Sequence, residues 1–121
     1  MARRRISNED GHRALDRVVH GSAVRSELAT AVRFSLEELA ELAPGNSVEV
    51  RVPPFGVTQC VEGPRHTRGT PPNVVETDAA TWLALIGGTL SWHDALAGGR
   101  VAVSGQRADL SAWLPLFRPR A

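Results

Sequence analysis

Between Asp78 and Gly105 the chain encodes helix, tight turn, helix and strand within 28 residues, and no other stretch restricts the fold so closely. Asp78 is a good helix N-cap, and Trp82, Leu83, Leu85 and Ile86 supply the apolar content of the short helix it opens, which Gly87-Gly88 terminates. Ser91-Trp92-His93-Asp94 is a second capping box and predicts a helix of roughly two turns that ends at Gly98-Gly99. Arg100-Val101-Ala102-Val103-Ser104 then alternates as a strand running into Gly105.

The upstream half reads in the same way. Ser7-Asn8-Glu9-Asp10 has capping-box spacing and predicts a helix to about His20, with Ala14, Leu15, Val18 and Val19 at helical spacing and Gly21 at its end. A longer helix from Ser22 carries Val24, Leu28, Ala31, Val32, Leu36, Leu39 and Ala43 on one stripe, and Pro44-Gly45-Asn46 stops it. The period then falls to two. Val48, Val50 and Val52 alternate with Glu49 and Arg51 as a half-buried strand, and Phe55–Glu62 and Asn73–Thr77 are two more, separated by the polar loop from Gly63 to Pro72. Strands in succession without intervening helices favour antiparallel pairing.

At 121 residues, with 42% hydrophobic and 22% charged, the chain has the size and balance of one globular domain. A net charge of +1 is far from the positive balance that phosphate-backbone binding needs, so no nucleic-acid partner is expected, although Arg3, Arg4, Arg5, Arg13 and Arg17 form the basic N-terminal set that such a reading would use. All fourteen basic residues are Arg and there is no Tyr, which points to a GC-rich bacterial genome. No apolar stretch follows Met1-Ala2-Arg3-Arg4-Arg5 as in a signal peptide, and no run approaches the length of a membrane span, so the expected location is the cytoplasm.

Taken as Asp, aromatic, Leu-x-Leu, Gly, Leu, Ala and Gly-Arg-Val-x-Val-x-Gly, the carriers Asp78, Trp82, Leu83, Leu85, Gly88, Leu90, Ala95, Gly99, Arg100, Val101, Val103 and Gly105 resemble the sterol carrier protein type-two family. The phrases Arg51-Val52-Pro53-Pro54-Phe55-Gly56 and Glu62-Gly63-Pro64-Arg65-His66-Thr67-Arg68-Gly69 look like its bacterial stand-alone branch, related to the C-terminal module of mycothiol-dependent maleylpyruvate isomerases. The resemblance implies a curved, mostly antiparallel sheet with helices packed on one face, an apolar tunnel between them, and a C-terminal helix over Asp109–Phe117. The chain departs from the family pattern in offering three strand-like runs before Asp78 where four are usual.

Other constellations have simpler readings. His12, His20, His66 and His93 share no metal-ligand spacing, so neither metal nor cofactor is expected, and Cys60 alternates within a strand as a small buried hydrophobe. Asp78, Asp94 and Asp109 each sit at a helix start, where capping accounts for them without acid–base chemistry. Leu110, Trp113, Leu114 and Phe117 fit one helical face, with Pro115 requiring a late start near Ser111 or a kink. Arg65, His66 and Arg68 form a candidate anion contact for a carboxylate head group.

The reading is therefore an α+β domain: a disordered arm over 1–6, one domain over 7–117 (helical over 7–44, sheet and covering helices over 47–117) and a tail over 118–121. Its expected function is non-catalytic binding of an apolar small molecule, with Trp82, Leu85, Ile86, Leu90, Leu96, Val101, Val103, Trp113 and Phe117 as walls. Each methylene removed from water contributes about 0.8 kcal/mol, so roughly ten suffice for micromolar affinity after association costs. The alternative is a closed-core accessory module that docks on a partner enzyme or forms a homodimer.

Overall fold

A computed structural model describes residues 6–63 and 73–117. Arg3, Arg4 and Arg5, the loop residues Arg65, His66 and Arg68, and the tail 118–121 lie outside them. The described residues form four helices and four strands in the order α1 (Asn8–Val19), α2 (Arg25–Leu42), β1 (Val48–Val52), β2 (Gly56–Cys60), β3 (Val74–Thr77), α3 (Ala79–Gly87), α4 (Trp92–Ala97) and β4 (Val101–Ser104). The helix ends are built by local chemistry. Ser7, Asp78 and Ser91 each accept an N–H from the third residue on, namely Asp10, Thr81 and Asp94. Gly88 takes the left-handed conformation (φ 83°) that ends α3, and its N–H reaches the carbonyls of Ala84 and Leu85. The longer helix begins later than its sequence suggests, at Arg25, because Val24 is the cap and its N–H bonds the Glu27 side chain at 3.0 Å.

The sheet is open and mixed, in the order β2-β1-β3-β4. β1–β2 and β3–β4 are antiparallel, as expected, but β1 and β3 are parallel. The reason is geometric. The three-residue connection after Val52 sends β2 back along β1 until Cys60 lies opposite Val48, so the chain leaves β2 at the end of the sheet where β1 begins. There Asn73 donates from its side chain to the Ser47 carbonyl at 2.7 Å, and β3, starting beside the start of β1, has to run with it.

Register divides the sheet into two faces. Val48, Val50, Val52, Cys60, Val75, Thr77 and Val101 are buried on the inner face, whereas Glu49, Arg51, Gln59 and Glu76 share the outer one, where Arg51 bonds Glu49 and lies 3.9 Å from Glu76. Against the inner face pack Val32, Leu36 and Leu39 of α2, its C-cap Ala43, and Trp82, Leu85 and Ile86 of α3, the helical spacing that the stripe on α2 predicts. Val24, the first residue of that stripe, is exposed because it is the cap. Arg33 fixes α2 to the β1–β2 connection by donating Nε–H to the Phe55 carbonyl at 2.8 Å, and the Arg25 guanidinium sits 5.1 Å from the Phe55 ring centre.

The expected C-terminal helix does not form. Only one turn occurs there, with Trp113 N–H bonding the Leu110 carbonyl at 3.0 Å. Pro115 has no N–H to give to the Ser111 carbonyl and its ring would strike that carbonyl, while Leu114 before it is pushed out of helical geometry. The segment continues without helical structure, and Phe117 N–H closes on the Ile86 carbonyl at 3.0 Å, a free acceptor in the last turn of α3.

Candidate functional site

The apolar layer between the sheet and helices α2 and α3 is the natural place for an apolar ligand, and the nine wall residues fall on it unequally. Trp82, Leu85 and Ile86 project from α3 and Val101 from β4, and all four are buried in the central cluster. Trp82 is wholly enclosed, its indole N–H donating to Ser35 Oγ at 2.8 Å, while the Ser35 hydroxyl donates to the Val32 carbonyl at 2.7 Å. A buried indole and a buried hydroxyl in the middle of two helices are thus both satisfied.

Leu90, Trp113 and Phe117 lie at the margin, partly buried and packed against the cluster, together with Leu114 and Leu116. Leu96 and Val103 are brought to neither place: they are 38% and 44% exposed. On α4 the buried residues are Trp92 and Ala95, three apart, and Leu96 is turned one step off that face. Val103 does point to the inner side, opposite Val75, but on the edge strand.

The C-terminal segment forms the margin through short-range bonds. Ser111, through its hydroxyl and its amide, holds the Asp109 carboxyl below its ordinary range, and that carboxylate accepts the Ser111 N–H at 2.8 Å. Leu110 is driven fully into the core at this bend. Beyond the bend, the residues from Trp113 to Phe117 cover the layer with large side chains on irregular backbone.

Of two further buried aromatic residues, the sequence indicates one as a wall or core residue and does not reveal the other. Trp92, which opens α4, belongs with Trp82 and Trp113 to the tryptophans that the sequence offers as wall or core, and it is buried in the central cluster, whereas Phe34 lies off the apolar stripe of α2 and is buried all the same. Phe34 belongs to a second cluster, with its ring parallel to Phe117 (9°, centres 6.0 Å apart) and His12 edge-on to both at 5.2 and 5.6 Å. A separate open groove of about 360 Å³ between α1 and α2 is lined by Ile6, Asp10, Arg13, Ala14, Glu27 and Thr30, a charged surface unlike the apolar layer.

The groups with reactive potential are engaged elsewhere. Burial pushes the Cys60 thiol up to about 12, which keeps it neutral at physiological pH. Thr81, chiefly through its backbone N–H, holds the Asp78 carboxyl below its ordinary range, as capping requires. His93 touches its neighbour Asp94 at 3.4 Å, and His20 bonds the Asp16 carbonyl at 2.7 Å. Among the described residues no three His, Cys, Asp or Glu side chains converge on a point where they could hold a metal, and no helix is long and apolar enough to cross a membrane.

A family model described as a bacterial SCP (sterol carrier protein) ortholog matches residues 24–116, most of the chain, from the cap of α2 to Leu116 in the C-terminal segment. No curated protein matches the chain.

Proposed function

The chain belongs to the bacterial sterol carrier protein ortholog family, and from that premise we propose that it binds an apolar small molecule, a lipid, fatty acid or sterol-like compound, without catalysing a reaction. The observation that carries this reading is the margin of the apolar layer. Trp113, Leu114, Leu116 and Phe117 cover the core from irregular backbone, held by few main-chain bonds, so the segment can move aside to admit a ligand and close over it without breaking a helix or a strand. Binding would be driven by burial of the ligand's methylenes, with Leu85, Ile86, Leu90 and Val101 as the floor and Trp113 and Phe117 as the wall that closes over it.

The non-catalytic part of the proposal is supported by the neutral, buried Cys60 and by the employment of Asp78 and Asp109 in caps and turns. A second reading, a closed-core accessory module docking on a partner enzyme or on a second copy, is favoured by the complete burial of Trp82, Leu39, Leu85, Ile86, Leu110 and Val75, which leaves no room among those side chains themselves.

Titration with a fluorescent fatty acid separates the two. The carrier reading expects saturable, roughly micromolar binding. It also expects Trp113→Ala to weaken that binding at least tenfold while lowering unfolding stability by only about 1–2 kcal/mol, less than for a fully packed Trp. A wild-type protein that gives no saturable signal supports the accessory module instead.

A further inference from the structure

Helix α1 precedes the residues matched by the family model, yet it touches the segment that covers the apolar layer. Its buried residues are only Gly11 and Ala14, with Leu15 partly buried against the core. Gly11 lies so close to α2 that a Cβ built on it would fall 2.2 Å from the Phe34 ring, so the helix rests directly on that ring. One residue on, His12 sets its imidazole edge against Phe34 and also against Phe117, which is stacked on Phe34. Just before α1 begins, Ile6 N–H donates to Glu37 Oε1 at 3.3 Å, a second tie to α2.

Twelve residues are too few for a stable isolated helix in water. Although α1 docks closely along α2, its fully buried residues are small, so it is expected to open at a lower free energy than the core. When it leaves, Phe34 loses its cover and Phe117 loses the imidazole edge that holds its ring on the stack. Phe117 is also the residue whose N–H ties the C-terminal segment to α3.

We infer that α1 is a latch: through Gly11 and His12 it holds Phe117 on Phe34, and its undocking releases the Trp113–Phe117 segment from the apolar layer. If the segment is the ligand's way in, which rests on the binding reading proposed above, the latch sets the rate of ligand entry and exit and leaves affinity nearly unchanged.

Amide hydrogen exchange on the full chain tests the latch without any ligand. Gly11→Ala ordinarily favours a helix, but here its methyl group collides with Phe34 and forces α1 away. The latch predicts at least tenfold faster exchange for the α1 amides and a matching acceleration at the Phe117 amide, with Val50 and Val75 unchanged. His12→Ala, which removes ring contacts from an exposed position without a clash, should move both sets in the same direction by about threefold. Faster exchange in α1 with an unmoved Phe117 amide overturns the inference, and so does an unmoved α1.

Stopped-flow mixing with dansyl-undecanoic acid tests the gating. Gly11→Ala should raise the association and dissociation rates together at least threefold and leave Kd within twofold of wild type. Unchanged rates in a variant with an opened α1 overturn the gating. No binding by the wild type overturns the ligand reading and the gating with it, and exchange alone then decides the latch.

Discussion

Replacing Trp82 by Ala will lower the unfolding free energy by about 3–5 kcal/mol, as expected for truncation of a fully packed Trp. Among the described residues Trp82 is the largest side chain completely shielded from water, it joins α3 to the sheet-facing side of α2, and its N–H supplies the bond to Ser35. Alanine removes the ring, leaves a cavity between two helices, and strips Ser35 Oγ of its donor while the Ser35 O–H still bonds Val32. Against a total stability of roughly 5–15 kcal/mol this loss approaches unfolding at physiological temperature. Trp82→Phe retains most of the packing and loses the hydrogen bond, so its cost should be about 1–3 kcal/mol. Urea unfolding followed by circular dichroism measures both, and equal, small losses for the two variants would mean that Trp82 is not a central packing residue.

Gly45→Ala will destabilise the protein by about 3 kcal/mol, through a collision of backbone with backbone. Gly45 has φ +149°, a region that L residues seldom adopt, and a Cβ there would lie 2.2 Å from the Val61 carbonyl oxygen. That oxygen is already committed: it accepts Ser47 N–H at 3.1 Å and the Ser47 hydroxyl at 2.7 Å, while Val61 N–H bonds the Ala43 carbonyl at 2.7 Å. The corner therefore joins the end of α2, the start of β1 and the end of β2, and it cannot give way at one point only. A flexible side chain could rotate aside, but these are main-chain atoms fixed by three bonds. The same urea titration applies, and a loss below about 1 kcal/mol would show that the corner relaxes freely.

Much of this fold is legible in the sequence because its element ends are chemical. Ser7, Asp78 and Ser91 cap three helices, Gly88 ends one of them, and Val48, Val50 and Val52 alternate with charged residues along the first strand. These signals act over three or four residues, and a local pattern can report them. The parallel pairing of β1 with β3 depends on where β2 delivers the chain, a matter of three-dimensional return that no period encodes. The terminal segment misled for a different reason: Leu110, Trp113, Leu114 and Phe117 have helical spacing, but their burial is achieved by one turn and an irregular stretch once Pro115 removes the helical bond.

The candidate site was legible in part for related reasons. Trp82, Leu85, Ile86 and Val101 reach the apolar layer because short elements with fixed ends leave them a single face. Leu96 and Val103 do not, since a six-residue helix offers its buried side to Trp92 and Ala95, and an edge strand leaves its inner side partly uncovered. Phe34 escaped notice because α2 buries two sides at once, one against the sheet and one beneath α1, whereas a single-stripe pattern reveals only the first.

The central claim, that this member of the bacterial sterol carrier family holds an apolar ligand at the margin closed by Trp113 to Phe117, is tested most directly by native mass spectrometry of the full chain purified from bacterial cells without detergent or delipidation. A carrier will give a second charge-state series displaced by the mass of one lipid-sized molecule, which organic extraction removes and added fatty acid restores, and which Trp113→Ala depletes. A single unliganded series that added fatty acid does not shift, from protein folded by circular dichroism, would contradict the claim.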